Sequence, residues 1–159
     1  MRTRFLLNNL LTFVWVALTG TFTFLNFAFG FVLSFVALWL INRNKGKEEK
    51  YFKLVPRTIS FIFFFLYELI KANVQVAYDV ITPKFYMTPG IVRVPLNATS
   101  DLEITLLANL ISLTPGTLSL DVSEDRKVLY VHSMYIADKD LFIQNIKNGF
   151  ERRLLELLR

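Results

Sequence analysis

The chain has 159 residues, of which 53% are hydrophobic and 16 are phenylalanine, and its formal net charge is +5 at pH 7. Soluble domains contain about 45–50% apolar residues, so this composition argues against an ordinary water-soluble protein and predicts one small domain with a membrane part. The absence of cysteine excludes a disulfide framework, a thiolate metal site and a cysteine nucleophile.

The positive charge belongs to the N-terminal half. Residues 1–89 hold 10 Lys and Arg against 4 Asp and Glu, a balance of +6, whereas residues 90–159 hold 8 against 9, a balance of −1. A basic half favours an anionic lipid surface or another membrane subunit as partner, and it argues against nucleic acid.

Residues 5–41 form a run of 37 residues without a charged side chain. One helix of that length would measure about 55 Å, whereas the hydrocarbon core of a bilayer is about 30 Å thick. The run therefore predicts a transmembrane helical hairpin over residues 1–41, with helices near 5–19 and 22–41 and a break at Gly20. A cleaved signal peptide is disfavoured, because the run exceeds an h-region of about 7–15 residues and lacks an A-x-A site.

Basic residues flank this hairpin at both ends and its turn is uncharged, so the positive-inside rule places both ends in the cytoplasm. Residues 42–83 are predicted to form a basic linker, 42–50, and a membrane-associated helix, 54–81, with Pro56 in its first turn. Two alternatives stay open for that helix. A third span would place the C-terminal domain outside, and an interfacial helix would keep it inside. The second is favoured, because the strongly apolar part covers only residues 58–70.

Residues 84–159 read as a small cytoplasmic domain with the element order β-α-β-β-α. Strands one and two are expected to run parallel if they are adjacent, and strands two and three form a hairpin. The fold class is thus a membrane protein of the α+β type. The predicted strands are 91–96, 117–123 and 127–135, the helices are 101–113 and 139–158, and the apolar positions of the last helix are Phe142, Ile146, Phe150, Leu154 and Leu157.

Few residues suggest chemistry. Glu68 and Lys71 lie three positions apart on one helical face and form a candidate membrane ion pair. Charges at membrane depth are often functional, but both residues lie at the end of the apolar segment, which favours structural pairing or interface contact. Residues 5–41 contain no acidic residue and no histidine. A proton or cation pump that acts alone would be expected to carry such residues in its membrane segments, so their absence argues against a stand-alone transporter.

His132 is the one histidine, so it cannot join an imidazole metal site or a visible catalytic triad. A structural or surface histidine is favoured, with pH sensing as the alternative. Residues 114–117 lack the glycine spacing and the lysine of a phosphate loop and follow a helix, which favours a rigid turn. No catalytic residue, metal or cofactor is predicted.

Several stretches resemble the E subunit of the Mrp-type multisubunit Na⁺/H⁺ antiporter. These are LLANLISLTPGTLSLDV (106–122), LYVHSMY (129–135), Asp138 and IKNGFERRL (146–154), together with PGIVRVPL (89–96) and the N-terminal hairpin. The resemblance implies a multisubunit complex of the plasma membrane that exchanges cytoplasmic Na⁺ for external protons. It also implies that the large subunits carry the proton relay and that the E subunit is accessory, without an agreed catalytic residue.

The sequence therefore predicts an accessory, non-catalytic subunit whose partners are other antiporter subunits and the lipid bilayer, with no small-molecule substrate of its own. The alternatives are a transporter or channel that acts alone as a homo-oligomer, and a membrane-bound enzyme that depends on His132. The candidate interface or structural residues are Leu113, Thr114, Pro115, Gly116, Thr117 and His132.

Overall fold

The computed structural model describes residues 2–42, 49–83 and 87–159. It divides into two compact units, Met1–Arg57 and Thr58–Arg159. The predicted basic linker falls mainly on residues 43–48, which lie outside the described residues. The predicted domain boundaries after residues 41 and 83 stay predictions.

The first unit begins with two helices that pack side by side, α1 (Arg2–Thr19) and α2 (Phe24–Asn42). Gly20 follows α1 with a φ of +63°, a left-handed conformation that glycine adopts at little cost. The predicted helix break at Gly20 is therefore confirmed.

Aromatic side chains hold α1 against α2. Trp15 Nε1 donates a hydrogen bond to Asn26 Oδ1 at 3.0 Å, and the rings of Phe13 and Phe27 meet edge to face with centroids 5.6 Å apart. A Cβ on Gly30 would lie 2.7 Å from Cδ1 of Trp15, which real Cβ atoms do not do. The missing side chain of Gly30 thus lets the indole lie directly on α2.

The third helix, α3, runs from Glu49 to Ile81 and has 33 residues. It begins earlier than the sequence predicts, because Glu49 and Lys50, assigned to the linker, are helical. Pro56 consequently lies inside the helix and not in its first turn, so that prediction is wrong. A proline at this position removes one intrahelical hydrogen bond.

Two helices within the described ranges are long and apolar enough to cross a membrane, α2 through Phe24–Ile41 and α3 through Tyr51–Ile81. Helix α1 does not meet that criterion. The sequence predicts α1 and α2 as the spans and favours an interfacial α3. Because α3 also meets the criterion, the alternative in which α3 spans stays open.

From Thr58 onward α3 belongs to the second unit and shows two different faces. One face is covered by the C-terminal elements: the Phe64 ring lies 5.3 Å from that of Phe150, and Asp79 is 5% exposed. The opposite face is apolar and open. We call it the exposed stripe, and it consists of Ile59, Ile62, Phe63, Leu66, Tyr67, Ile70, Val74 and Tyr78.

The rest of the second unit contains a three-stranded sheet with the strand order β1-β3-β2, in which β3 is antiparallel to both neighbours. The first two strands are therefore not adjacent, and the expectation of a parallel pair does not apply, because the hairpin strand β3 lies between them. The bounds are β1 Gly90–Pro95, α4 Asp101–Leu113, β2 Thr117–Val122 and β3 Val128–Ser133.

The core lies on one face of this sheet. Val131 and Leu129 of β3 are 0% and 1% exposed, and they pack with Leu107 of α4 and with the last helical segments. Those segments are α5 (Lys139–Asn145), a π-helix (Ile146–Glu151) and α6 (Arg152–Leu158), where the sequence predicts one continuous helix. Of the predicted apolar positions, Ile146 and Leu154 enter the core, and Phe142 and Phe150 pack against it.

Candidate functional site

A cavity of about 240 Å³ lies inside the second unit, between α3, the end of α4 and the last helical segments. It brings together two groups of residues that the sequence singled out separately, namely Glu68 and Lys71 of α3 and the turn after α4. That turn contributes Thr114, Pro115 and Thr117 to the lining. More than 40 positions separate the two groups along the chain, so no local pattern predicts their proximity.

The turn between α4 and β2 is closed by its own threonines. The Thr114 hydroxyl donates to the Leu110 carbonyl at 3.1 Å, and the Thr117 hydroxyl donates to the Ile111 carbonyl at 2.5 Å. Gly116 supplies the required positive φ of +84°. Because both hydroxyls donate to backbone carbonyls, the turn presents a fixed shape and not an activated nucleophile.

The same turn is attached to the end of β3. The Met134 N–H donates to the Gly116 carbonyl at 2.8 Å, and a Cβ on Gly116 would lie 3.2 Å from Cε2 of Tyr135. Leu113, which also belongs to the predicted motif, points elsewhere: it is 62% exposed and does not line the cavity. The motif thus has an inner part at the cavity and an outer apolar residue.

Glu68 and Lys71 meet at the rim of the cavity. Lys71 Nζ lies 3.6 Å from Glu68 Oε2, and the Lys71 and Glu68 side chains are 60% and 25% exposed. The contact predicted from their spacing is therefore present. An ion pair with this exposure contributes at most about 1 kcal/mol to stability. The pair is therefore notable for placing two opposite charges at the rim of the cavity and not for stabilising the fold.

His132 lies away from the cavity. It is half-buried on β3, where its register partners are Ile91 of β1 and Leu118 of β2. Its side chain occupies the sheet face opposite to Val131 and Ser133, since alternate residues of a strand point to opposite faces. The structure therefore does not bring His132 together with the cavity residues.

A buried pair that the sequence does not reveal lies near the cavity. Asp79 of α3 faces the hydroxyl of Tyr135, and the nearby carboxylate, together with burial, raises the pKa of Tyr135 to about 12. Among the described residues neither Asp79 Oδ2 nor the Tyr135 hydroxyl completes a hydrogen bond of standard geometry. The one signal in the sequence is an aspartate in a largely apolar helix, and nothing links it to residue 135.

Two further carboxylates hold the C-terminal elements together. Glu103 forms a capping box with Ser100, and its hydrogen bond with Arg159, together with backbone N–H groups, lowers its pKa to about 2. Glu151 is 1% exposed and accepts a hydrogen bond from the Ala98 N–H at 2.9 Å. Both carboxylates bind backbone groups of the same loop, which indicates a structural role.

The described part of the chain contains no group of three or more His, Cys, Asp or Glu residues that could hold a metal ion. What the cavity offers is an apolar wall, which includes Ile111 and Ile146, beside a rim with one charge of each sign. Such an arrangement is suited to binding an amphiphilic partner.

Comparison with known proteins identifies the family. Residues 8–157 match the family model described as Na⁺/H⁺ ion antiporter subunit. The chain is 38% identical over 157 residues to the E subunit of the Na⁺/H⁺ antiporter of Alkalihalophilus pseudofirmus, with 99% of both chains covered. It is also 38% identical to the corresponding E subunit of Bacillus subtilis, with 100% of both chains covered. This chain belongs to the family of Na⁺/H⁺ antiporter E subunits.

Two solved membrane complexes contain similar chains. A chain of the Mrp complex from Dietzia sp. DQ12-45-1b is 34% identical with a TM-score of 0.50, and the match covers 65% of this chain and 96% of that one. A chain of the membrane-bound sulfane sulfur reductase, an archaeal respiratory membrane complex, is 29% identical with a TM-score of 0.55, and the match covers 95% and 96%. The resemblance to the E subunit of the Mrp-type antiporter is thus confirmed, and the family places this chain in a membrane.

Proposed function

We propose that this chain is an accessory, non-catalytic subunit of a multisubunit Na⁺/H⁺ antiporter and that it supports assembly and stability of the complex in the plasma membrane. The observation that carries the proposal is the exposed stripe of α3, in a chain whose full-length relatives are named antiporter subunits. Soluble monomers rarely expose so much contiguous apolar surface.

Neighbouring subunits and lipid are the partners that fit this stripe. Phe63, Ile70 and Val74 are 68%, 62% and 63% exposed on one side of α3, while the other side already packs on the C-terminal elements. The rigid turn with the exposed Leu113 offers neighbouring subunits a second contact surface. Both surfaces serve to hold partners in place and need no reactive group.

The C-terminal elements are assigned to the cytoplasmic side. Arg2 and Arg4 lie in the first turn of α1, and Lys53 and Arg57 follow α2 in the chain. Positive residues near the ends of membrane segments are retained on the cytoplasmic side. With both ends of the α1–α2 hairpin inside, an interfacial α3 keeps residues 87–159 inside as well.

Co-purification tests the assembly role. We expect the double variant Ile70→Asn with Val74→Asn in the exposed stripe, expressed with the whole antiporter, to lower recovery of the other subunits on the tagged chain by about tenfold or more. Burying an amide in an apolar contact without a hydrogen-bond partner costs about 1–3 kcal/mol, and about 1.4 kcal/mol corresponds to a tenfold loss of affinity. Asn73→Ala, on the same helix, is the matched control and keeps recovery. Na⁺-dependent proton flux from the purified chain alone in proteoliposomes would contradict the accessory role and support the stand-alone transporter.

A further inference from the structure

The cavity beside Glu68 and Lys71 has an amphiphilic lining. Its inner wall includes Ile111 and Ile146, which are 2% and 5% exposed, whereas the Lys71 side chain at the rim is 60% exposed. Its volume of about 240 Å³ is more than ten times the ~10–15 Å³ that one water requires. The cavity therefore has room for a run of methylene groups.

Helix α3 connects this cavity to the exposed stripe. In the chain, Ile70 of the stripe directly precedes the rim residue Lys71, and Val74 directly precedes the rim residue Gln75. The helix itself is a candidate membrane segment over Tyr51–Ile81. A lipid that covers the stripe therefore reaches the mouth of the cavity without leaving the helix surface.

The charges at the rim select the headgroup. Glu68 and Lys71 present opposite charges 3.6 Å apart. A headgroup with a phosphate and a primary ammonium group presents the complementary pair, because the phosphate accepts from the Lys71 ammonium and the lipid ammonium donates to the Glu68 carboxylate. A phosphatidylglycerol headgroup has no cation for Glu68, so the carboxylate opposes its binding.

We infer that this cavity binds a phosphatidylethanolamine molecule, with one acyl chain between α3 and the C-terminal elements and the headgroup on Glu68 and Lys71. The inference rests on the proposed function in so far as the chain must lie in a membrane. The bound lipid fills the gap behind α3 and attaches the C-terminal elements to the bilayer surface.

Photolabelling tests the site. The full-length chain within its complex is placed in nanodiscs that contain trace phosphatidylethanolamine with a diazirine in the acyl chain, and labelled peptides are identified by mass spectrometry. Label is expected on the peptides that carry Pro115, Ile146 and Phe150. Ala72→Phe, which fills the cavity from α3, should lower this label at least tenfold, whereas Ala77→Phe, on the exposed side of the same helix, should leave it unchanged.

The headgroup is tested with a phosphatidylglycerol probe of the same chain. The unaltered protein should prefer the ethanolamine lipid, and Glu68→Gln should abolish the preference. Equal labelling by both lipids, label that survives Ala72→Phe, or label on neighbouring subunits in place of the cavity peptides would each overturn the inference. Recovery of the other antiporter subunits is measured in the same samples. Absence of the label from the unaltered chain, with the partner subunits retained, would therefore overturn the lipid site and leave the proposed function standing.

Discussion

Gly116 shows how two independent constraints act on one residue. Its φ of +84° is unfavourable for any residue with a Cβ, and a Cβ there would lie 3.2 Å from the ring of Tyr135. Gly20 shares the first constraint with a φ of +63°, but nothing lies within 4 Å of its Cβ position. Comparing substitutions at the two glycines therefore distinguishes the cost of backbone strain from the cost of steric crowding.

We expect Gly20→Ala to lower the free energy of unfolding by about 1–2 kcal/mol, the cost of a left-handed L-residue. Gly116→Ala should lose that amount and about 1–3 kcal/mol more, because its methyl group crowds Tyr135. Denaturant unfolding of the full chain in detergent, followed separately by probes in each unit, measures both losses. Equal losses for the two variants would refute the crowding contribution.

Glu103 makes stability depend on pH in the acid range. Its pKa is lowered from 4.5 to about 2 in the folded chain, chiefly by Arg159. A lowered pKa contributes stability that is present above about pH 4.5 and is lost as the pH falls towards 2. Unfolding of the second unit measured between pH 7 and pH 2 should show this loss. Glu103→Gln should flatten that part of the profile, and Glu124→Gln, in the exposed turn after β2, should leave it as it is.

At the scale of the elements, Phe64 attaches α3 to the C-terminal helices. Its ring lies edge-on to Phe150 with centroids 5.3 Å apart, the Arg153 guanidinium carbon lies 4.4 Å from its centroid, and a Cβ on Gly149 would lie 3.1 Å from its Cζ. Three neighbours that belong to the π-helix and α6 thus surround one side chain of α3. This contact fixes the wall of the cavity that α3 supplies.

Phe64→Ala is expected to lower the free energy of unfolding of the second unit by about 2–3 kcal/mol, because it removes a half-buried ring with aromatic and cation contacts. Phe63→Ala is the matched control: this neighbouring ring is 68% exposed, so its loss should cost less than about 0.5 kcal/mol in detergent. Thermal unfolding followed by near-ultraviolet circular dichroism distinguishes them. Similar losses for both variants would show that α3 is not attached through Phe64.

The sequence predicts those structural features that depend only on residues close together in the chain. The glycine at residue 20 predicts a helix break, and Ser100 with Glu103 predicts a capped helix start, because each depends on residues within one turn. The central position of β3 and the approach of Asp79 to Tyr135 depend on contacts between distant residues, which spacing does not encode. For the same reason the sequence indicates the two halves of the cavity separately but does not predict that they form one site.

At the scale of the whole molecule, family membership fixes the membrane location, and the side on which the C-terminal elements lie follows from the number of spans. The natural chain contains no cysteine. A single introduced cysteine therefore reports its own accessibility without background. The turn after β2 and the α1–α2 turn are both exposed, so they accept such a probe.

Glu124→Cys is expected to react with a membrane-impermeant maleimide in everted vesicles and not in right-side-out vesicles, because the C-terminal elements are assigned to the cytoplasm. Thr21→Cys, between α1 and α2, should show the opposite pattern. The extent of labelling is read on gels after each treatment. Labelling of Glu124→Cys in right-side-out vesicles would mean that α3 spans the membrane and that the C-terminal elements lie outside.

The π-helix accounts for an unusual spacing of core residues near the end of the chain, and it allows this segment to lose one residue. The core side chains Phe142, Ile146, Phe150 and Leu154 recur every four residues, which in a regular α-helix would drift by about 40° per step. The wider turn over Ile146–Glu151 absorbs that drift. Deletion of the exposed Asn148 would shorten the repeat to a four-three-four pattern that an ordinary α-helix fits. This segment should therefore tolerate the loss of one residue. The same deletion in α5 would rotate the helical residues that follow it by about 100° about the helix axis.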